Sequence, residues 1–575
     1  MGEPDAPTPH DVSSSSPHST KPLRFLVIGA GSRGNAYARA VSNATSGMIY
    51  AIAEPHPFKR REFGRNYIWG DGGTPQDGQE FEDWRDWLRW ETKRRTQSTS
   101  ATVATNHAIC GVDGVFICTL DETHVEILQS IAPLQLHVLC EKPLALSLSD
   151  CLTVYRALLP KADEGLSPSS SPSTIFSIGH VLRYSPHNIL LRKLLLEDRA
   201  IGDIVSMEHC EPVGWWHFAH SYVRGNWRRA TPEGDGSLLT KSCHDLDFIL
   251  WLLCSPLPLP ADADLSTQQQ QGHLKRQQPH LPRTISSSGS LTQFRKSRKP
   301  RAAATATNCL SCPAEKDCNY SAIKIYRDMH VARADYEWPV NIVCPDIEDV
   351  VRNSSLSEEE QTKAAEAHLF RRLEEDYSPE TEDKDIAARP WYGRCVYESD
   401  NNVCDDQVVT LTWDDDEPLE FDTSNYNYYP RTAKTAIFHM IAPTEKQCER
   451  RGRVYGTQGE ISYDSRNIHT YSFSTRSTRS IEVPRQPPEE KESHGGGDYG
   501  LARSFVRAVD AVVNQGWEVE RAQRCFVGCT LEEAVRSHAV VFAAEEARRE
   551  EKVIRWKDWW EAKLQDSLGT RSACD

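Results

Sequence analysis

The stretch Leu23 to Gly34, L-R-F-L-V-I-G-A-G-S-R-G, narrows the folds open to this chain more than any other. Leu23 to Ile28 is apolar and partly β-branched, the composition of a strand buried on both faces. Gly29, Gly31 and Gly34 follow as G-x-G-x-x-G, and Asn35 to Val41 reads as a helix. Each glycine has its own task. Gly29 permits a tight turn, Gly31 lets the backbone approach a pyrophosphate, and Gly34 lets helix and strand pack closely. Ser32 and Arg33 lie at the helix start, where free N–H groups and the positive dipole end face phosphates. A second strand, Met48 to Ala53, ends in Glu54, twenty residues past Gly34. A carboxylate there accepts hydrogen bonds from an adenosine ribose and repels a 2′-phosphate, which favours NAD(H) over NADP(H). Lys59, Arg60 and Arg61 close by keep NADP(H) open as the second reading.

Downstream, short buried strands alternate with helices. Phe81 to Trp90 has helical spacing and several tryptophans, and Thr92 to Thr105 reads as a polar insertion. Gly114 to Thr119 is a strand, followed by a helix opening at Asp121 to His124. Leu136 to Cys140 is a strand that runs into Glu141-Lys142-Pro143, Leu148 to Leu159 is a helix, and Ile175 to Gly179 is a strand ending near Arg183 and Tyr184. Such alternation predicts an α/β domain with a doubly wound parallel sheet over residues 21–184. Beyond it come an aromatic stretch from Trp215 to Trp227, an apolar helix within Gly236 to Leu253, and strands from Val408 onward. These predict a second, α+β domain over 185–550 with a large, mostly antiparallel open sheet. Ser255 to Thr305 is rich in Gln, Ser and Pro, and Ser354 to Asp385 is acidic with helical tendency; both read as disordered or flexible inserts. Residues 1–20 read as a disordered N-terminus and 551–575 as a tail.

Charge and composition exclude some functions. The 575 residues carry a net charge of −16, which disfavours nucleic acid and anionic membranes as partners. Mean hydropathy is −0.57, low for a compact enzyme and in keeping with much solvated loop. Met1 to Thr20 has neither a basic segment nor an apolar core, so it does not read as a signal peptide, and no run of 18 apolar residues occurs. The seventeen cysteines are scattered, the pattern of reduced thiols in a cytoplasmic protein. Cys309-x-x-Cys312 with Cys318 offers three thiols and Cys344 a distant fourth. The spacing matches no regular zinc module, so cysteines beneath an insertion, with no metal, is the leading reading and a structural metal the second.

Taken together, G-A-G-S-R-G, Glu54, V-F-I-C-T with His124, E-K-P at Glu141-Lys142-Pro143 and the later G-T-Q-G-E at Gly456 to Glu460 resemble the Gfo/Idh/MocA oxidoreductases. The resemblance covers roughly residues 22–255 and 390–545. It implies a Rossmann domain, a C-terminal sheet facing the nicotinamide, and redox chemistry on sugars, inositols and related polyols. It also implies cofactor contacts from Thr119, His124, Glu141 and Lys142, and a homo-oligomer. Lys142 is placed beside the nicotinamide and the substrate hydroxyl. His244 and Asp247 match the histidine and last aspartate of the family's D-x-G-x-H-x-x-D. The first aspartate falls on Thr240 and the glycine on Ser242, with Lys241 and Asp245 as extra charged neighbours, which implies a different proton relay.

Removing a hydride from a carbon that bears a hydroxyl needs a base for the hydroxyl proton, a task suited to histidine. A lysine on a desolvated wall can share that work or neutralise a developing alkoxide. Lys142, His244 and Asp247 are therefore the expected catalytic residues, and Arg183, Tyr184, Trp227 and Lys241 the expected substrate contacts. Two rival readings stand beside the oxidoreductase. One is a regulatory protein of the same fold that binds dinucleotide without turnover, as in the fungal galactose-pathway repressor. The other is NAD-dependent glycosidase chemistry, in which a hydride is removed and returned.

Overall fold

The structure is a computed structural model that describes residues 21–100, 111–159, 173–231, 236–256, 278–352, 356–416, 431–492 and 494–569. The first sheet comprises β1 (Arg24–Ile28), β2 (Met48–Ala53), β3 (Glu80–Phe81), β4 (Gly114–Ile117), β5 (His137–Cys140) and β6 (Phe176–Ile178), in the order β3-β2-β1-β4-β5-β6. Every pairing in it is parallel. This is the doubly wound order, whose reversal between β1 and β4 opens a crevice at the strands' carboxyl ends. β4 and β5 are buried throughout, the reason they read as continuous apolar runs.

The second sheet comprises β7 (Ile204–Pro212), β8 (Thr284–Ser290), β9 (Asp406–Trp413), β10 (Lys434–Ile441), β11 (Arg451–Gly456), β12 (Gly459–Tyr463), β13 (Ile468–Ser472), β14 (Ser477–Ile481) and β15 (Ile554–Arg555). Their order is β14-β13-β12-β11-β7-β10-β9-β8-β15. Only β7 and β10 run parallel; the other pairings are antiparallel. β9 alternates between buried and half-buried positions, with Val409, Leu411 and Trp413 inward. The helix Cys243–Leu253 is almost wholly buried, the reason it reads as an apolar helix; in Leu531–Arg549 the run Ser537 to Glu545 is buried and the exposed charges lie toward the two ends.

Several sequence expectations are corrected. The tract 255–305 is not wholly unstructured. Residues 257–277 lie outside the described residues, but β8 follows and pairs with β9 over seven positions. Its T-I-S-S-S-G-S sequence buries little apolar surface, and backbone hydrogen bonds hold it in place. Within 354–385, Glu358–Glu374 is a helix with a Ser357/Glu360 capping box, and Ala365, Leu369 and Leu373 form a buried stripe at helical spacing. Within the expected tail, β15 joins the second sheet and Trp556 is buried. Trp84–Ser100 is one helix, so the polar insertion expected from Thr92 continues it as far as Ser100, and 101–110 lie outside the described residues. The expected boundary at residue 184 is crossed by the helix Gly497–Val513. Its Phe505 packs edge-on against Phe116 (5.3 Å) in the first sheet and lies 5.8 Å from Phe25. Among the described residues no helix is long and apolar enough to cross a membrane.

Candidate active site

The glycine loop joins β1 to the helix Ser32–Ala44. Gly29 adopts φ +96°, and a Cβ there would meet the Cys118 carbonyl oxygen at 2.7 Å. A Cβ on Gly34 would lie 2.0 Å from the Gly29 carbonyl oxygen, so only glycine lets the helix sit this close. A Cβ on Gly31 meets nothing within 4 Å: the loop leaves open space on the face where a pyrophosphate would approach. The helix N-terminus has no side-chain cap, and Ser32 is exposed, so the first N–H groups remain available to an anion. Glu54 is buried beside the loop. One carboxylate oxygen accepts the Ala30 N–H (2.7 Å) and the other the His56 N–H (2.8 Å), which fixes the carboxylate where a ribose would sit. An open cradle, free N–H groups and a positioned carboxylate together fit a dinucleotide.

The side chains of Arg33 and Glu141 are engaged with each other. Arg33 Nε donates to Glu141 (2.7 Å) and its guanidinium forks onto Asp498 (2.8 and 3.2 Å), while Tyr37 donates its hydroxyl to Glu141 (2.6 Å). Burial alone pushes the Glu141 carboxyl up, but the Arg33 charge and the Tyr37 bond outweigh it and hold it below the usual range. The pair therefore anchors the loop to the helix Gly497–Val513. His124, expected near the cofactor, is fully buried, with Nδ1 2.8 Å from the Pro143 carbonyl oxygen and Nε2 3.3 Å from that of Thr119. It ties E-K-P to the end of β4, where Thr119 accepts the Thr123 hydroxyl (2.7 Å).

Lys142 projects toward the second half of the chain, and its Nζ donates to the Thr240 carbonyl (2.8 Å). His244 lies one turn further on. Its Nδ1 is buried with no hydrogen-bond partner among the described residues. Burial first, then the nearby Lys142 ammonium and His180, lowers its pKa well below 6.5, so the imidazole is neutral around pH 7. Lys241 lies 3.5 Å from Glu211 and 3.0 Å from the Cys448 sulfur, and His217 Nδ1 is 3.6 Å from the same sulfur. Glu211 is pushed up to about 7 by burial, against the pull of Arg450, whose guanidinium bridges Glu211 (2.7 Å) and Asp245 (2.8 Å). Trp227 Nε1 donates to Asp121 across the two sheets' territories (2.8 Å).

Asp247, Arg183 and Tyr184 make no hydrogen bond to Lys142 or His244 among the described residues; Asp247 lies 3.0 Å from His180, whose ring is edge-on to His244 at 6.0 Å. Arg183 forks onto Asp247 (2.7 Å to each oxygen), the Ser537 hydroxyl donates to the same carboxylate (2.6 Å), and Tyr184 donates to the Val527 carbonyl (2.9 Å). All three are buried, and they clamp the end of β6 to the C-terminal helices. Asp247 therefore does not raise the basicity of His244, and neither does Asp245, which serves Arg450 and His209. Glu211, Asp121, His217, Arg450 and Cys448 were not singled out as site residues from the sequence. The usable signal was the aromatic stretch from Trp215 to Trp227, which contains His217.

Residues 23–163 match the family described as an oxidoreductase family with an NAD-binding Rossmann fold, Gfo/Idh/MocA. The chain is 28% identical over 142 residues to the 2,7-anhydro-N-acetylneuraminate hydratase of Escherichia coli (strain K12), covering 25% of this chain and 34% of that one. It is 30% identical over 145 residues to the 1,5-anhydro-D-fructose reductase of Ensifer adhaerens, covering 25% and 38%. The chain thus spans little more than a third of these curated relatives' length. A solved structure of an oxidoreductase from Sinorhizobium meliloti is similar in fold, with a TM-score of 0.51 at 13% identity, over 93% of this chain and 99% of that one.

Proposed function

For a chain that belongs to the Gfo/Idh/MocA oxidoreductases, we propose hydride transfer between NAD(H) and a carbinol carbon of a sugar, inositol or related polyol. The observation that carries this reading is the His244 imidazole, its Nδ1 buried and unpartnered among the described residues; burial first, and then the Lys142 charge, favour its neutral form. Gly29, Gly31, Gly34, the N–H groups at Ser32 and Arg33, Glu54 and Thr119 would hold the dinucleotide, which supplies a hydride acceptor or donor when bound. Lys142 draws electron density from the substrate oxygen. His244 takes the hydroxyl proton as the C–H hydride leaves, and returns it in the reverse direction. Trp227 offers an apolar face to sugar C–H groups, and Lys241 with Glu211 sets the charge at the far wall.

The relative named as a hydratase favours a second reading, in which the hydride removed is returned and no net redox change results. A panel of polyols, sugars and anhydrosugars with NAD or NADP decides between them. The first reading expects the absorbance of reduced nicotinamide to grow with one of these substrates. Product formation without that growth supports the second. Dinucleotide binding with no turnover on any member overturns both in favour of a regulatory protein.

A further inference from the structure

Away from the dinucleotide crevice, a short antiparallel bridge joins Asn308 to Arg394. Across it the Cys309 N–H donates to the Gly393 carbonyl (2.9 Å) and the Cys395 N–H to that of Thr307 (2.7 Å), which sets the two cysteines diagonally across the bridge on one face. Cys312 and Cys318 follow on tight turns. All four thiols line one cavity of about 150 Å³, together with Arg224, Tyr320 and Tyr397, and none forms a disulfide. Cys344, the distant fourth thiol of the sequence reading, is buried elsewhere, among Arg372, Asp346 and Glu375.

Three of the sulfurs already face backbone donors. The Ala322 N–H donates to Cys309 (3.5 Å), and the Tyr320 and Tyr397 N–H groups face Cys318 and Cys395, each from two residues further on. Burial pushes the Cys318 and Cys395 thiols up, and donors of this kind oppose it by favouring the thiolate. Arg224 is fully buried at the same cavity. Its Nε and one Nη donate to the carbonyls of Arg394 (2.6 Å) and Tyr320 (2.7 Å), and that Nη also reaches the Cys309 sulfur (3.5 Å). The other Nη makes no hydrogen bond of ordinary geometry among the described residues and has the Tyr326 hydroxyl as its polar neighbour; the charges that face this buried cation most closely are cysteine and tyrosine side chains, with Glu315 and Asp317 further round the cavity. A buried guanidinium needs a counter-charge, and metal-bound thiolates would provide it.

We propose that Cys309, Cys312, Cys318 and Cys395 ligate an iron–sulfur cluster. Spacing separates this from a single zinc ion. Zn–S bonds of about 2.3 Å draw four sulfurs to about 3.8 Å from one another. Among the described residues, no three of these sulfurs lie within 4.8 Å of one another; the one group that close is His180, Cys243 and His538. In that group His538 already uses both nitrogens, on the Leu144 N–H and the Ala534 carbonyl. The cavity among the four cysteines is several times the roughly 30 Å³ that one water takes up. A cluster there would brace Tyr320, which packs edge-on against Trp215 (6.0 Å), on the short helix that carries His217.

The test is the full chain, produced with ample iron, purified without oxygen, and reconstituted with ferrous iron and sulfide under reducing conditions. The expected result is iron and acid-labile sulfide in equal amounts, about two or four of each per chain, with broad visible absorbance that bleaches on reduction by dithionite. Cys312→Ser should bring iron to background, and Cys344→Ser should retain it, with dinucleotide binding checking that both variants fold. Stoichiometric zinc without labile sulfide overturns the proposal. So do four freely titrating thiols after reconstitution, a disulfide among the four, or full iron in Cys312→Ser. If Cys312→Ser fails to fold, the iron and sulfide content of the full chain and of Cys344→Ser still decides.

Discussion

The glycine loop and the basin around His244 are both poised for ligands, but their parts come from very different distances along the chain. In the loop, Glu54 reaches Ala30 across 24 residues, and the glycines lie against one another, Val27 of β1 and the chain just past β4. In the basin, Arg450 reaches Glu211 across 239 residues, and Lys142 reaches Thr240 across 98. The loop works through backbone shape, which side chains can only obstruct. The basin works through charges removed from water, and each of them depends on a partner that the fold delivers late. A short motif therefore announces the first kind of site, while the second exists only once both sheets are assembled.

Lys142→Met gives the largest expected effect on this contrast. It should lower kcat by about 10²–10⁴-fold in stopped-flow hydride transfer, while NAD(H) affinity by titration changes far less. An equal loss of affinity would show that the basin also governs the loop. Gly31→Val should abolish dinucleotide binding and leave the melting temperature of the free protein unchanged, because its side chain enters open space. Wild-type affinity in a calorimetric titration would remove the loop from the cofactor site. Arg183→Ala leaves the Asp247 carboxylate buried and uncompensated, and should cost about 3–5 kcal/mol in denaturant unfolding. A small loss of stability with a large loss of kcat would return Arg183 to the substrate.

Acid should weaken both regions together. Burial lowers His137 in the first sheet to about 4, and His220 and His538 to about 3. The unfolded chain takes up these protons near pH 6.5 and the folded chain resists them, so stability is intact above 6.5 and falls as pH drops toward 3. Melting temperatures across that range check this; a flat profile would mean the histidines become charged without unfolding. Glu54→Ser gives the smallest effect, a relaxed preference for NAD over NADP with little loss of NAD affinity. Unchanged selectivity would remove Glu54 from the ribose.

Much of the first sheet was legible because its strands are buried on both faces and its loops carry glycine. β1, β2, β4, β5 and β6 fall within two residues of their expected bounds. The two-residue β3 was not legible, since it has no pattern of its own. β8 and β15 were hidden for another reason: a Ser-rich strand and a tail segment are held by backbone pairing and show no apolar period. At the site, Lys142 and His244 were expected from a motif, whereas the ion pair between Arg183 and Asp247 was not foreseen, because a buried ion pair and a catalytic one look alike until their neighbours are known. Cys395 escaped for the same reason, being close to Cys309 only across the Asn308–Arg394 bridge.

In the protein without substrate, the Lys142 ammonium already holds an oxygen, the carbonyl of Thr240. Any substrate must therefore exchange one acceptor for another. A neutral hydroxyl displacing a neutral carbonyl gains little by this exchange. An oxygen that acquires negative charge gains more, since charge-assisted hydrogen bonds are about twice as strong as neutral ones. The resting contact thus works as a reference load on the ammonium. It leaves ground-state binding almost unrewarded and reserves the lysine's advantage for the moment when the proton departs.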